Sequence, residues 1–194
     1  MRTDRRFSRL RTVLEKRQPD LTLVMENIHD PHNVSAVLRS CDAAGVLQVQ
    51  LVYTDTAIPE MGPKSSASAR KWVERRAFTD ISSCYATLRR EGFAICATRL
   101  GPGARNIYDL DMTRRIAFVL GNEHAGVSDA AAEQADAIVQ IPMQGMIESL
   151  NVSVAAAVVL FEAVRQRLAT GQYAQPKFAP EELDRLLKVW AMKE

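Results

Sequence analysis

Three short segments hold the polar residues whose types and spacing could do chemistry. The first, NIHDPHNVSAVLRSCDAAGV (27–46), follows an apolar run and reads as a helix over 33–45, with Asn33 suited to cap its start and Gly45 to stop it. Val34, Val37, Leu38 and Cys41 fall on one apolar face, while Ser35, Arg39 and Asp42 form a separate polar stripe. An arginine on a helix that leaves a strand end can reach the cleft there; it can equally pair with Asp42, three residues on. The second segment, FVLGNEHAGVS (118–128), puts Gly121 and Glu123 just past an apolar strand. There the glycine allows a sharp turn or close approach, and the carboxylate can orient a hydroxyl or a cation or simply sit in a surface loop. The third, IPMQGMIESLNVSVAAAVVLFEA (141–163), runs from a flexible loop into an apolar helix, where Ser149 or Asn151 can cap the helix or meet a ligand at its N-terminus.

Other patterns carry less. His29 and His32 form an HxxH beside a proline, but Asp30 alone does not complete a metal set, so loop packing is the simpler reading. GPGARN (101–106) lacks the third glycine of a dinucleotide loop, and neither GxSxG nor GxxxxGK[ST] is present. Cys41, Cys84 and Cys96 are scattered, with no CxxC, and read as small core residues rather than as a disulfide framework or zinc site.

The elements that must position these residues alternate. Strand-like runs occupy 21–27, 49–54, 72–78, 93–100, 116–122 and 137–142, with helical patterns over 33–45, 79–92, 128–135 and 149–171 between or after them. Residues 55–72 read as a loop with a short helix, and 101–115 as a loop. This alternation implies an α/β fold with a mainly parallel sheet, whose ligands sit beyond the carboxyl ends of the strands. Two helices flank it: a basic amphipathic one at the start and another over 181–193 after a proline-containing linker. The chain divides accordingly into a basic N-terminal helix (1–18), a central domain (19–171) and a C-terminal linker and helix (172–194).

The net charge of +2 hides an asymmetry, because residues 1–17 carry +5 and the rest −3. A basic end on a near-neutral body suits a polyanion, since Lys and Arg gain affinity by releasing phosphate counterions. No apolar run approaches the roughly 18 residues of a membrane span, and the start lacks the apolar centre of a secretory signal. The expectation is a cytoplasmic protein.

Taken together, the three segments resemble the three signature motifs of the SPOUT superfamily of RNA methyltransferases, in the family's order. PHNVSAVLRSCDAAGV is similar to motif one, LGNEHAGVS to motif two and IPMQGMIESLNVSVAAA to motif three, and the likeness to the TrmH subfamily extends from KRQPDL (16–21) to Gly171. The resemblance implies a C-terminal deep trefoil knot, a homodimer with the helix at 151–169 in its interface, S-adenosylmethionine as cofactor and no metal. It also implies 2′-O-methylation of guanosine 18 in the tRNA D-loop.

Carried onto this chain, the resemblance makes Arg39 the catalytic arginine, acting on the 2′-hydroxyl with a substrate phosphate nearby. Asn33 would hold that arginine and the ribose, Glu123 would help position the nucleotide, and Ser149 and Asn151 would complete the site. The cofactor would lie against Thr98, Leu100, Leu120, Gly121, Glu123, Ile141, Met143, Gly145, Ser149 and Leu150. Phosphate contacts would come from Arg9, Arg11, Lys64 and Arg70. Asn122 and His124 depart from what relatives often carry around the glutamate. Two neighbouring readings are a ribose methyltransferase of rRNA or of a tRNA anticodon nucleotide. A third, of a different class, is a catalytically silent RNA-binding protein.

Overall fold

The computed structural model describes residues 2–54, 57–59 and 69–193. In chain order the elements are α1 (Arg2–Glu15), β1 (Leu21–Glu26), α2 (Pro31–Ala43), β2 (Gln48–Val52), α3 (Ala69–Trp72), β3 (Glu74–Phe78) and α4 (Ile81–Arg90). They continue with β4 (Ala94–Thr98), β5 (Arg105–Asn106), β6 (Ile116–Leu120), α5 (Asp129–Gln134), β7 (Ala137–Gln140), α6 (Val152–Ala169) and α7 (Pro180–Ala191).

The seven strands form one sheet in the order β3-β2-β1-β6-β4-β7-β5. Every pairing is parallel, with Met25 opposite Leu120 and Thr98 opposite Val139. The α/β, parallel-sheet expectation is thus met. All residues of β1 and β6 are buried, as central parallel strands covered on both faces must be. β3 lies at an edge and is nowhere fully buried, which explains its weak apolar signal.

One face of the sheet packs under α2 and α6, with Leu23, Met25, Phe118 and Leu120 meeting Val37, Leu38, Val159 and Leu160. The other face packs under α4 and α5, with Val24, Ile95, Ala97 and Val119 meeting Tyr85, Leu88 and Ala131. A third cluster joins the flanking helices, where Leu10 and Leu14 of α1 meet Leu183, Leu186, Leu187 and Trp190 of α7.

Three local readings change. α2 starts at Pro31, and its N-cap is Asp30, whose carboxylate accepts the His32 N–H at 2.8 Å. Proline is pre-organised for the first helical position and needs no hydrogen-bond acceptor there, so the helix begins earlier and Asn33 is released from capping. The loop after β4 contributes the two-residue edge strand β5. The long helix starts at Val152, capped by Asn151, whose Oδ1 accepts the Ser153 N–H at 2.8 Å. Gly45 does end its helix region: at φ +78° a Cβ would stand 2.8 Å from the Lys16 carbonyl oxygen.

Candidate active site

A cavity of about 550 Å³ opens beyond the carboxyl ends of β4, β6 and β7. Its apolar walls include Leu100, Leu120, Val139, Ile141 and Leu150, and its polar lining includes Glu123, Glu148, Ser149 and Asn151. Strand ends form its floor because a parallel sheet leaves backbone groups unpaired there.

At the rim, a hydrogen-bonded relay joins the three sequence segments. The Asn33 side-chain N–H donates to Glu123 Oε1 at 3.0 Å, and the Asn151 Nδ2 donates to Asn33 Oδ1 at 3.1 Å. The backbone N–H groups of His29 and Asp30 also donate to the Glu123 carboxylate, both at 3.3 Å. Partial burial works against the charge on Glu123. The Asn33 amide and the N–H groups of Glu123 itself, His29 and Asp30 outweigh it, so the carboxyl is held below its usual range. Asn33 is buried, and Asn151 serves both the relay and the cap of α6. Each of these amides keeps one side-chain N–H with no acceptor among the described residues.

The loop that presents Glu123 is fixed by Asn122. Its side chain donates to the Asn27 carbonyl at 2.9 Å and accepts the N–H groups of His124 and Ala125, while its backbone exchanges two hydrogen bonds with Gly126. This returning strand of backbone crowds Gly121, where a Cβ would come within 2.1 Å of Gly126. The close approach that the glycine permits is therefore one of the chain to itself.

Of the residues expected to meet a cofactor, Thr98, Leu100, Leu120, Gly121, Glu123, Ile141, Met143, Ser149 and Leu150 line the cavity. Gly145 does not; it is exposed with nothing within 4 Å of where a Cβ would be. Arg39 also lies outside the lining, exposed on α2 and without a partner among the described residues. The pairing with Asp42 is not made, because Asp42 is held by the buried Arg17 instead. Arg9 and Arg11 are exposed on α1, with Arg11 paired to Asp184 at 2.9 Å, and Arg70 sits on α3. Lys64 lies outside the described residues. His29 and His32 are exposed, and among the described residues no group of three or more His, Cys, Asp or Glu could hold a metal ion. The cysteines are buried free thiols, with Cys84 pushed by burial to about 12 and Cys96 to about 11.

The parts that side-chain types could not signal are backbone donors. His29 and Asp30 matter here through their N–H groups, which the β1–α2 turn aims at Glu123. Glu148, Arg99 and Asn122 also line the cavity. Asn122 and Glu148 lie inside motif segments two and three with no role assigned to them there, and Arg99 lies outside the three segments.

Residues 20–161 match the SpoU rRNA Methylase family. A tRNA (guanosine(18)-2′-O)-methyltransferase of Thermus thermophilus is 45% identical over 192 residues, covering 99% of this chain and 98% of the relative. The crystal structure of the Aquifex aeolicus TrmH/SpoU tRNA modifying enzyme superposes with a TM-score of 0.92 at 38% identity, over 98% of this chain and 97% of the other. The SpoU methyltransferase AviRb from Streptomyces viridochromogenes, solved with the cofactor AdoMet, matches with a TM-score of 0.65 at 28% identity, over 80% of this chain and 59% of its own.

Proposed function

The chain belongs to the SpoU rRNA methylase family, and on that premise we propose that it methylates the 2′-hydroxyl of guanosine 18 in the tRNA D-loop. The observation that carries this reading is the Glu123–Asn33–Asn151 relay, which gathers all three motif segments at the mouth of one cavity. The substrate comes from the relatives' names, which agree over almost the full length of this chain.

S-adenosylmethionine fits the residues present. A cavity of about 550 Å³ falls within the roughly 300–1,000 Å³ of small-molecule sites. Leu120, Val139, Ile141 and Leu150 offer apolar walls to a flat base, and Glu123 and Glu148 offer negative charge toward a cation. When bound, the cofactor supplies an electrophilic methyl group. The protein's share is to hold the ribose hydroxyl in line and ease removal of its proton. Glu123, held ionised, fixes the Asn33 amide; Asn33 and Asn151 then have side-chain N–H groups left for ribose oxygens. Ser149 adds a hydroxyl to the same wall. A guanidinium stays protonated at neutral pH, so Arg39 acts by binding the substrate phosphate and orienting the hydroxyl rather than as a free base.

The assembly we propose is a homodimer. The outer face of α6 exposes Val154, Phe161 and Leu168, seven residues apart, a stripe that a second copy would cover. Leu168 and Val164 line a cavity together with Ala43 of α2, and Arg39 lies one turn before Ala43 on that helix. Arg39 thereby borders the interface, where a substrate held between two copies would meet it. A C-terminal deep trefoil knot belongs to the same proposal, as do the boundaries 1–18, 19–171 and 172–194. Among the described residues no helix is long and apolar enough to cross a membrane; with tRNA as substrate, the cytoplasm is the compartment we assign.

The test is transfer of a labelled methyl group to an unmodified tRNA transcript, mapped by nuclease digestion. A ribose methyl on the D-loop guanosine is the expected result. A methyl on an anticodon nucleotide or on rRNA alone would displace the substrate, and tight RNA binding without transfer would make the protein a silent binder. Sedimentation of a Phe161→Glu variant checks the interface, with a shift from dimer to monomer expected.

A further inference from the structure

A second basic surface lies away from the cavity, at the amino-terminal end of the β3 edge. There Arg70 and Lys71 of α3, Arg75 of β3 and Lys193 after α7 line a groove of about 520 Å³, with Glu74 the one acid among the described residues that line it. Three elements meet to build it. Trp72, at the end of α3, stacks against Trp190 of α7 with ring centroids 5.1 Å apart, which draws the end of α7 against α3. Lys193 then lies with its ammonium 5.6 Å from the Trp190 ring centroid, and its carbonyl accepts from Arg6 of α1 at 2.5 Å.

The strand sorts its two arginines by face. Successive side chains on a strand point to opposite sides. Arg76 goes to the α4 side and is occupied by Glu91 at 2.7 Å. Arg75 pairs in register with Val49, whose face is covered by α2 and α3, and is exposed into the groove. Neither Arg75 nor Lys193 is in an ion pair with a described residue. On the flanking helices Arg11 is matched by Asp184 and Arg185 by Glu182, while Arg9 is exposed on α1.

We propose that this groove binds the sugar-phosphate backbone of the tRNA at a point distant from the methylated ribose, anchoring the RNA body without taking part in chemistry. The proposal rests on the tRNA reading above. The groove opens at the amino-terminal end of the sheet, and the catalytic cavity opens at the carboxyl end. One RNA must therefore extend along the molecule to touch both. On this proposal a full tRNA reaches both, and a hairpin containing only the D-arm occupies the cavity alone. Contacts of this kind fix position and carry no sequence information.

The experiment compares Arg75→Gln/Lys193→Gln with the charge-keeping Arg75→Lys/Lys193→Arg. It measures binding of full tRNA across a salt series, together with KM and kcat on full tRNA and on a D-arm hairpin. Each lost phosphate contact lowers the slope of log affinity against log salt by about 1. The glutamine pair should therefore reduce the slope by about 2 and weaken binding at low salt by roughly three- to tenfold. KM for full tRNA should rise with kcat unchanged, hairpin kinetics should not move, and the charge-keeping pair should behave as wild type. An unchanged slope overturns the proposal, and so does an equal loss in the charge-keeping pair. Those failures are separate from failure of the methylation reading, in which the wild type binds tRNA with a steep salt slope but transfers no methyl group.

Discussion

The two ends of the sheet both hold buried polar side chains, and they use them differently. At the amino-terminal end, Arg167 is fully buried and spends its guanidinium on the protein. It donates to the Met112, Asp20 and Arg114 carbonyls, to Gln18 Oε1 and to the Asp20 carboxylate. Lys177 closes the other side of Asp20 at 2.5 Å. All five N–H donors of the arginine are used, so nothing is left for a ligand. At the carboxyl end, Asn33 and Asn151 are bonded only in part, and Arg39, farther along α2 and exposed, has no partner among the described residues. A saturated network holds a fold together, and an unsaturated one at a cavity is available to a substrate.

The largest expected effect breaks the saturated end. Arg167→Met takes one of its two cations from Asp20 and a donor from Gln18. Lys177 stays on Asp20, so the loss falls toward the low end of the about 3–5 kcal/mol that breaking a buried ion pair costs. Tm should fall by roughly 10 °C, at about 2–4 °C per kcal/mol for a chain of this size. The methyl-transfer rate per folded molecule should hold, as calorimetry alongside the tRNA assay would show. A lost rate with an unchanged Tm would mean that this end also serves the site.

Arg39→Ala should do the reverse. Its exposed, unpartnered side chain contributes little to stability, so Tm stays within error. Loss of one preorganised cation at the developing charge costs about 10²–10³ in rate. A fall in Tm comparable to that of Arg167→Met would place Arg39 in the fold rather than in the chemistry.

Asn151 sharpens the comparison because it belongs to both kinds of network, capping α6 and donating to Asn33. Asn151→Ala loses both roles, with about 1 kcal/mol expected from the missing cap. Asn151→Asp keeps the acceptor for the Ser153 N–H and removes the donor. It should retain most of the stability while losing activity to a similar degree. If the aspartate variant is fully active, the link to Asn33 is dispensable.

Much of this division was legible in the sequence. The periodicity located the strands and helices, and the three segments located the cavity wall, because both depend on side-chain type along a local stretch. The unread features depend on what comes near from elsewhere in the chain. Asn33 read as a cap because the capping pattern fits asparagine; Asp30 takes that place since Pro31 can occupy the first helical position. Asp42 read as a partner for Arg39 by spacing, and Arg17, 25 residues earlier, claims it. Gly121 read as a sharp turn or a close approach, and the approach on its Cβ side is made by Gly126, while Gly121 also lines the cavity. β5 is too short for any periodicity to register.

The smallest expected effect is on pH dependence, and it bears on both ends at once. Asp20 and Glu123 are each resisted by burial and each held below the ordinary carboxyl values of 3.8 and 4.5: Asp20 by Lys177 and Arg167, Glu123 by Asn33 and backbone N–H groups. A carboxyl with a depressed folded-state pKa contributes stability that is fully present above its unfolded value and is lost as pH falls through the folded one. Neither group should therefore make Tm or activity vary between about pH 5 and pH 8, and their joint loss should appear only below about pH 4. Melting and initial rates across that range check this, with Glu123→Gln as the control for the cavity end. An acid limb near pH 6 in the wild-type rate that disappears in Glu123→Gln would mean that the substrate-bound site raises this carboxyl. Desolvation would then outweigh the Asn33 and backbone donors once RNA covers the cavity, and Glu123 would be placed to take the ribose proton rather than only to hold Asn33.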